Sequence, residues 1–260
     1  MATSDKSPQS GAALVTGAGR RIGRAIACDL AAQGWRVAVH HNRSAEEAAA
    51  VVAEIEAGGG RAVALGADLS AQGDVEGLVP RAAEQLGRLD CLVNCAALFD
   101  EDSIDTVSRE SWERHMGTNL WAPLALSQAF ARQLAPPARG NIVNIIDQRV
   151  WNLTPHFLSY TASKSGLWTL TRTLALALAP RVRVNAVGPG PTLASTRQSG
   201  EEFARQCART PLGRGTTPEE ICAAVRYFLE APAVTGQMLA LDGGQHLGWA
   251  QPGDGGNPVE

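Results

Sequence analysis

Ala12-Ala13-Leu14-Val15 is an apolar tetrapeptide that runs directly into Thr16-Gly17-Ala18-Gly19-Arg20-Arg21-Ile22-Gly23. A helical pattern then extends from Ile22 to Gln33 and stops at Gly34. No other stretch constrains the fold as strongly. A short strand this apolar is buried on both faces, and the helix after it carries the chain back to begin a parallel neighbour. The glycines permit a tight turn with close backbone approach, and amides at a helix start suit an anion. A glycine-rich connection without a ligand would use the same residues. The next apolar run, Trp35–Val39, follows at the spacing of a dinucleotide-binding unit and favours that reading.

The alternation continues along the chain. Further strands are expected at Ala62–Leu65, Asp90–Val93, Ile142–Ile146, Val182–Val187 and Gln237–Leu241. Helices are expected from Ser44 to Glu56, Asp74 to Leu86, Ser111 to Leu134, Leu167 to Ala179 and Pro218 to Glu230. Ser44-Ala45-Glu46-Glu47 has the capping-box form, and Thr217 precedes a proline at the first helical position. The stretch from Leu193 to Thr210 is polar and irregular, as in a mobile loop or short helix over a site. No linker, repeat or composition break interrupts residues 11–249, so one α/β domain is expected, with flexible tails at 1–10 and 250–260.

A chain of 260 residues with 45% hydrophobic content and a net charge of −3 fits one large globular domain. That balance gives no support for nucleic-acid or membrane-surface binding, and no run is long enough to span a bilayer. Five cysteines without a Cys-x-x-Cys pair read as reduced, mostly buried small hydrophobes. A cytoplasmic location is the expectation.

Tyr160 and Lys164 lie four residues apart and share one face of a helix. A tyrosine ionises near pH ~10, and a neighbouring ammonium favours the phenolate, which draws Tyr160 towards acid–base work at neutrality. Asp147 ends the strand before them, where open α/β sheets place their ligands. After Trp35–Val39 comes His40-His41-Asn42-Arg43-Ser44, with no carboxylate to hold a ribose 2′-hydroxyl. A cation and a hydroxyl suit the extra phosphate of NADP, with Arg43 the chief residue; His40 and His41 are alternatively strand-end surface residues. Asp68, before Leu69, either meets an adenine edge or caps a loop. Asn94-Cys95-Ala96-Ala97 passes over small residues against which a flat cofactor can lie. Phe99 either stacks on a planar substrate or belongs to the core or a lid. Pro123 has no N–H to offer the Asn119 carbonyl, which is left to bind a water. The alanine-rich helical faces suit packing between subunits.

Thr16-Gly17…Gly23, Asn94, Asn119, Tyr160…Lys164, Pro189-Gly190 and Asp242-Gly243-Gly244, in this order, resemble the short-chain dehydrogenase/reductase family. The resemblance covers Ala12 to Trp249. It implies a Rossmann-type, doubly wound, seven-stranded parallel sheet with helices on both faces, and a nicotinamide cofactor. It also implies a homotetramer. By the same resemblance Tyr160 exchanges the proton, Lys164 lowers its pKa and holds the nicotinamide ribose, Asn119 anchors a relay water and Thr192 contacts the carboxamide. Gly17, Ile22, Leu69, Asn94, Ala96, Pro189 and Gly190 would line the rest of the cofactor.

Departures from the common pattern narrow the resemblance. Arg21 stands at the middle glycine, Asp147 at the catalytic serine, and Ala97 at the last glycine of Asn-Asn-Ala-Gly. Thr-Gly-x-x-Arg-Arg-x-Gly with aspartate for serine looks like pteridine reductases and dihydromonapterin reductases. His41 to Ser44 match the NADPH phosphate-binding run of that group, and Phe99 its pterin-stacking aromatic; Ala97 departs from it, since a serine often stands there. Carbonyl reduction needs a hydroxyl to polarise oxygen, whereas a pterin C=N needs a proton at ring nitrogen. The resemblance therefore implies an NADPH-dependent reductase of a dihydropterin, dihydromonapterin or dihydrofolate. The Asp147 carboxyl can relay that proton or hydrogen-bond the 2-amino-pyrimidine edge; the hypothesis is that Asp147 and Tyr160 act as a coupled pair, with Arg21 near the substrate and cofactor phosphates. A carbonyl or alcohol substrate, with Asp147 as a tolerated replacement, is the alternative.

Overall fold

The computed structural model describes residues 11–195 and 197–248, so the two expected tails lie outside the described residues. Seven strands form one sheet: β1 Ala12–Val15, β2 Arg36–His41, β3 Arg61–Gly66, β4 Cys91–Asn94, β5 Gly140–Ile145, β6 Val182–Pro189 and β7 Met238–Leu241. Their order is β3-β2-β1-β4-β5-β6-β7, and every pairing is parallel. The chain builds outwards from β1 to β3, then returns to place β4 on the other side of β1. The connections after β1 and β4 therefore diverge, which opens a crevice at the carboxyl ends of the strands.

Among the described residues there are eight helices: α1 Arg21–Ala32, α2 Ala45–Ala57, α3 Gln72–Leu86, α4 Arg109–Met116, α5 Ala122–Gln133, α6 Leu158–Leu178, α7 Gly200–Ala208 and α8 Pro218–Glu230. Alternate strand residues feed two cores. On one face Val15, Val39 and Val93 pack with Ile26 and Leu30 of α1, Val51 of α2 and Phe228 of α8. On the other, Leu14, Leu92 and Ile142 pack with Leu78 of α3 and with Leu126 and Phe130 of α5. Each such fully buried side chain contributes about 1.5–3 kcal/mol. The central strands thus hold the crevice rigidly from both sides.

Several local expectations change. Ser44 makes no side-chain cap to α2; Glu47, the carboxylate of the expected capping box, pairs instead with Arg20 of the glycine-rich turn. The same signature does form at α8, where the Thr217 hydroxyl accepts from the Glu220 amide and Glu220 accepts from that of Thr217. Ser111–Leu134 is divided rather than simply kinked. A π-turn, Gly117–Trp121, separates α4 from α5, and the Ala122 amide reaches back five residues to the Gly117 carbonyl. Pro123 explains the need for it, since no N–H is available to the Asn119 carbonyl one α-turn earlier. Helix α6 begins at Leu158 rather than Leu167, and Tyr160 and Lys164 lie within its first two turns, on one helical face as expected. The polar run after Leu193 contains α7, capped reciprocally by Ser199 and Glu202.

Candidate active site

The glycine-rich turn is held from three directions. Thr16 Oγ1 accepts from the Cys95 and Ala96 amides at 2.9 and 3.0 Å, which ties the end of β1 to the exit of β4. Gly17 has a φ of +65°, and a Cβ there would lie 2.9 Å from Ala96 Cα. Its amide donates to His40 Nδ1 at 3.0 Å, and His40 Nε2 reaches the Ala67 carbonyl at 3.1 Å. An imidazole that accepts at Nδ1 carries its proton on Nε2, so His40 is neutral and bridges β1 to the exit of β3. Burial pushes its pKa down to about 4. His40 is therefore neither a surface residue nor a phosphate ligand; it braces the turn.

One cavity of about 780 Å³ lies along the crevice. His41, Asn42, Arg43, Ser44, Asp68 and Leu69 line one end; Gly17, Arg21, Ile22 and Ala96 line its middle. Phe99, Asp147, Tyr160, Lys164, Pro189, Gly190 and Thr192 line the other end. Every expected site residue thus lines this cavity except Asn94 and Asn119. Asn94 lies behind it and donates to Asn144 Oδ1 at 2.9 Å. The Asn119 side chain clamps the Leu98 backbone, accepting from its amide at 2.8 Å and donating to its carbonyl at 2.9 Å. The same side-chain amide donates to Ser163 Oγ at 3.1 Å, so the side chain is taken up by protein partners. The Asp68 carboxylate is held by the Ser70 amide and hydroxyl at 2.9 and 2.7 Å, the loop-capping arrangement.

The chemistry converges at the Tyr160 end. The Tyr160 hydroxyl donates to Asp147 Oδ2 at 2.9 Å, and Asp147 Oδ1 accepts from the Arg149 amide at 2.8 Å. Lys164 is buried, and its ammonium donates to the Ile145 carbonyl at 2.8 Å. Its Nζ lies 5.7 Å from the centre of the Tyr160 ring. Lys164 does not bring the phenol towards neutrality here. Burial, then the Asp147 carboxylate, raise the Tyr160 pKa well above the usual value. Burial also lowers Lys164 to about 8. Both charged forms are desolvated, and the nearest anion to Tyr160 is a carboxylate. Tyr160 therefore stands as a neutral proton donor.

Arg21 takes a left-handed backbone conformation with φ +52°. Its guanidinium donates to the Ala194 and Leu193 carbonyls at 2.8 and 2.9 Å, closing the loop after β6 over the glycine-rich turn. Phe99 stacks on Phe157 with ring centres 4.5 Å apart and meets Tyr160 edge-on at 4.6 Å. Arg197 lies 4.9 Å over Phe99 and donates to its carbonyl at 2.9 Å. Sequence reasoning did not find Arg149, Phe157, Arg197 or the bracing role of His40. Arg149 is buried, lines the cavity and lies 5.1 Å over Phe157. An arginine two residues beyond the strand-ending Asp147 was the signal available for it. Cys91 and Cys222 are buried; Cys28, Cys95 and Cys207 are only partly so, and all five are free thiols.

The sequence family described as enoyl-(acyl carrier protein) reductase matches residues 17–246. A short-chain dehydrogenase from Burkholderia cenocepacia, solved in complex with NADP, superposes with a TM-score of 0.85. It is 37% identical, over 91% of this chain and 98% of that one. The chain belongs to the short-chain dehydrogenase/reductase family. This short-chain oxidoreductase is also similar to FolM alternative dihydrofolate reductase 1 from Brucella canis, solved with NADP. Identity is 49%, coverage 94% of this chain and 97% of that one, and the TM-score 0.91. A 3-oxoacyl-[acyl-carrier-protein] reductase of Synechocystis is 35% identical, over 89% of this chain and 95% of its own length. Among the described residues no helix is long and apolar enough to cross a membrane.

Proposed function

We propose that this short-chain reductase uses NADPH to reduce the C=N bond of a dihydropterin-type substrate: a dihydropterin, dihydromonapterin or dihydrofolate. The observation that carries the reading is the hydrogen bond from Tyr160 to Asp147, a carboxylate where a carbonyl reductase of this family has a serine hydroxyl. The likeness to an alternative dihydrofolate reductase supports it.

The residues present fit the cofactor. Side chains at Gly17 or Gly190 would strike neighbouring backbone at 2.9 and 2.7 Å, so the crevice keeps a flat, backbone-lined floor. Arg43 and Ser44 lie at the cavity end that suits a 2′-phosphate. Ile22, at the start of α1, and the turn before it suit the pyrophosphate. NADPH, when bound, supplies the hydride. Tyr160 gives its proton to the substrate ring nitrogen. A phenolate beside an ionised carboxylate is costly, so a proton drawn from solvent at Asp147, half-buried at the cavity wall, passes to Tyr160 as it releases its own and restores the pair. Lys164 and Arg149 are the cations that face the pair. Phe99 offers a ring to a planar substrate once Arg197 gives way.

The likeness to 3-oxoacyl-[acyl-carrier-protein] reductases favours a second reading, reduction of a carbonyl. NADPH oxidation with dihydrobiopterin, dihydromonapterin and dihydrofolate, beside ketones, aldehydes and an NADH control, separates the two. Turnover of carbonyl compounds alone would overturn the pterin reading. The homotetramer that the resemblance implies would pack through the apolar groove of Met116, Leu120, Trp121, Leu124 and Leu170, where Trp121 is half-exposed. Light scattering on the purified protein tests that assembly.

A further inference from the structure

Directly after Asp147, the side chain of Gln148 is 5% exposed and lines the same cavity. Its Oε1 is buried without a hydrogen-bond partner among the described residues. The backbone around it is committed. The Gln148 carbonyl accepts from the Trp151 amide at 2.9 Å, and the next amide, that of Arg149, is held by Asp147 Oδ1. A second amide oxygen, Gln245 Oε1, is also buried without a partner and lines the cavity. Buried amides in folded proteins are almost always paired, and an orphan beside a reacting centre points to a ligand that completes it. The last torsion of glutamine is a broad two-fold rotor, so a small turn presents oxygen and nitrogen together to the cavity.

We propose that the terminal amide of Gln148 is a specificity-determining group that pairs with a lactam edge of the substrate, an N–H beside a C=O. The inference rests on the pterin reading above and deepens it. In a 4-oxo-dihydropterin the carbonyl at C4 lies next to N5, the nitrogen that takes the proton when hydride adds to C6. A substrate placed with N5 at Tyr160 and Asp147 therefore carries its O4 and N3–H towards the residue adjoining Asp147. The Gln148 oxygen accepts from N3–H and its nitrogen donates to O4. Simple ketones and aldehydes offer no such edge, and a site with an unpaired buried amide discriminates against them.

The test uses the NADPH-loaded enzyme and two probes, 6-methyl-7,8-dihydropterin and its N3-methyl derivative. The wild type is expected to favour the unmethylated probe at least tenfold in kcat/KM. Gln148→Leu is expected to lose about tenfold or more on that probe and almost nothing on the methylated one, with NADPH affinity and Tm unchanged. Gln148→Glu, which accepts but cannot donate, should fall between the two; it also serves if the leucine variant does not fold. An equal loss on both probes, or a preference that survives the substitutions, overturns the role of Gln148 and leaves the pterin reading intact. A wild type that reduces neither probe overturns that reading, and the lactam pairing with it.

Discussion

The Tyr160 hydroxyl donates to Asp147 Oδ2 across 2.9 Å, and the proposed proton transfer runs through this phenol–carboxylate pair. Asp147→Asn keeps the size and removes the charge. It is expected to lower kcat on a dihydropterin by about 10²-fold or more while NADPH affinity stays within about twofold. Asp147→Ser should damage pterin reduction likewise. Steady-state rates with fluorescence titration of NADPH read both; preserved or improved turnover in the serine variant would count against the pair.

Lys164 is expected to give the activity an alkaline limb. Its buried ammonium has a pKa lowered to about 8, so the protonated form that faces Tyr160 is lost as pH rises through that value. The kcat/KM profile, which reports the free enzyme, is expected to fall above about pH 8. Lys164→Met should cost about 10²-fold or more at neutral pH and abolish the limb. A flat profile through pH 9 would contradict the assignment.

His40 links stability to pH in the opposite direction from a paired histidine. Burial depresses its folded-state pKa to about 4 from an ordinary 6.5, so the unfolded chain binds the extra proton between those values. The stability it confers is full above about pH 6.5 and is lost as pH falls towards 4. Between about pH 7.5 and 5 the loss should reach roughly 2 kcal/mol. Urea denaturation at the two pH values measures it, and His40→Gln should flatten the difference at a lower overall stability.

Arg21→Gly tests the strap over the glycine-rich turn. A left-handed non-glycine residue costs about 1–2 kcal/mol, so glycine relieves strain, but the two bonds to Leu193 and Ala194 go with the guanidinium. The expected result is an unchanged or slightly raised Tm with a KM for NADPH several-fold higher. An unchanged KM would show that the strap does not retain the cofactor.

What could be read from the chain follows the range of the forces involved. β1 and α8 fall on their expected residues because a buried apolar run, a threonine cap and a proline at the first helical position are local signals. The same kind of signal misled at Ser44, where Arg20, distant in sequence, competes for Glu47. The crevice was legible through the glycine-rich turn and the Tyr160–Lys164 spacing. The direction of the Tyr160 pKa was not, because it depends on burial and on Asp147 reaching back from the end of β5. The stacking of Phe99 on Phe157, and Arg197 above it, require loops nearly a hundred residues apart to meet.

The π-turn at Gly117–Trp121 sets a rotational phase. Each residue of an α-helix advances the side chains by about 100°, so the turn offsets α5 from the direction α4 alone would dictate. Deleting one residue there would run α4 straight into α5 and leave Pro123 inside an uninterrupted helix. It would also swing Leu126 and Phe130 away from the sheet and carry the Asn119 carbonyl off its heading. The segment is a vernier between the working end of this helix and its packing end, and a helix of ideal geometry would be the wrong part for the job.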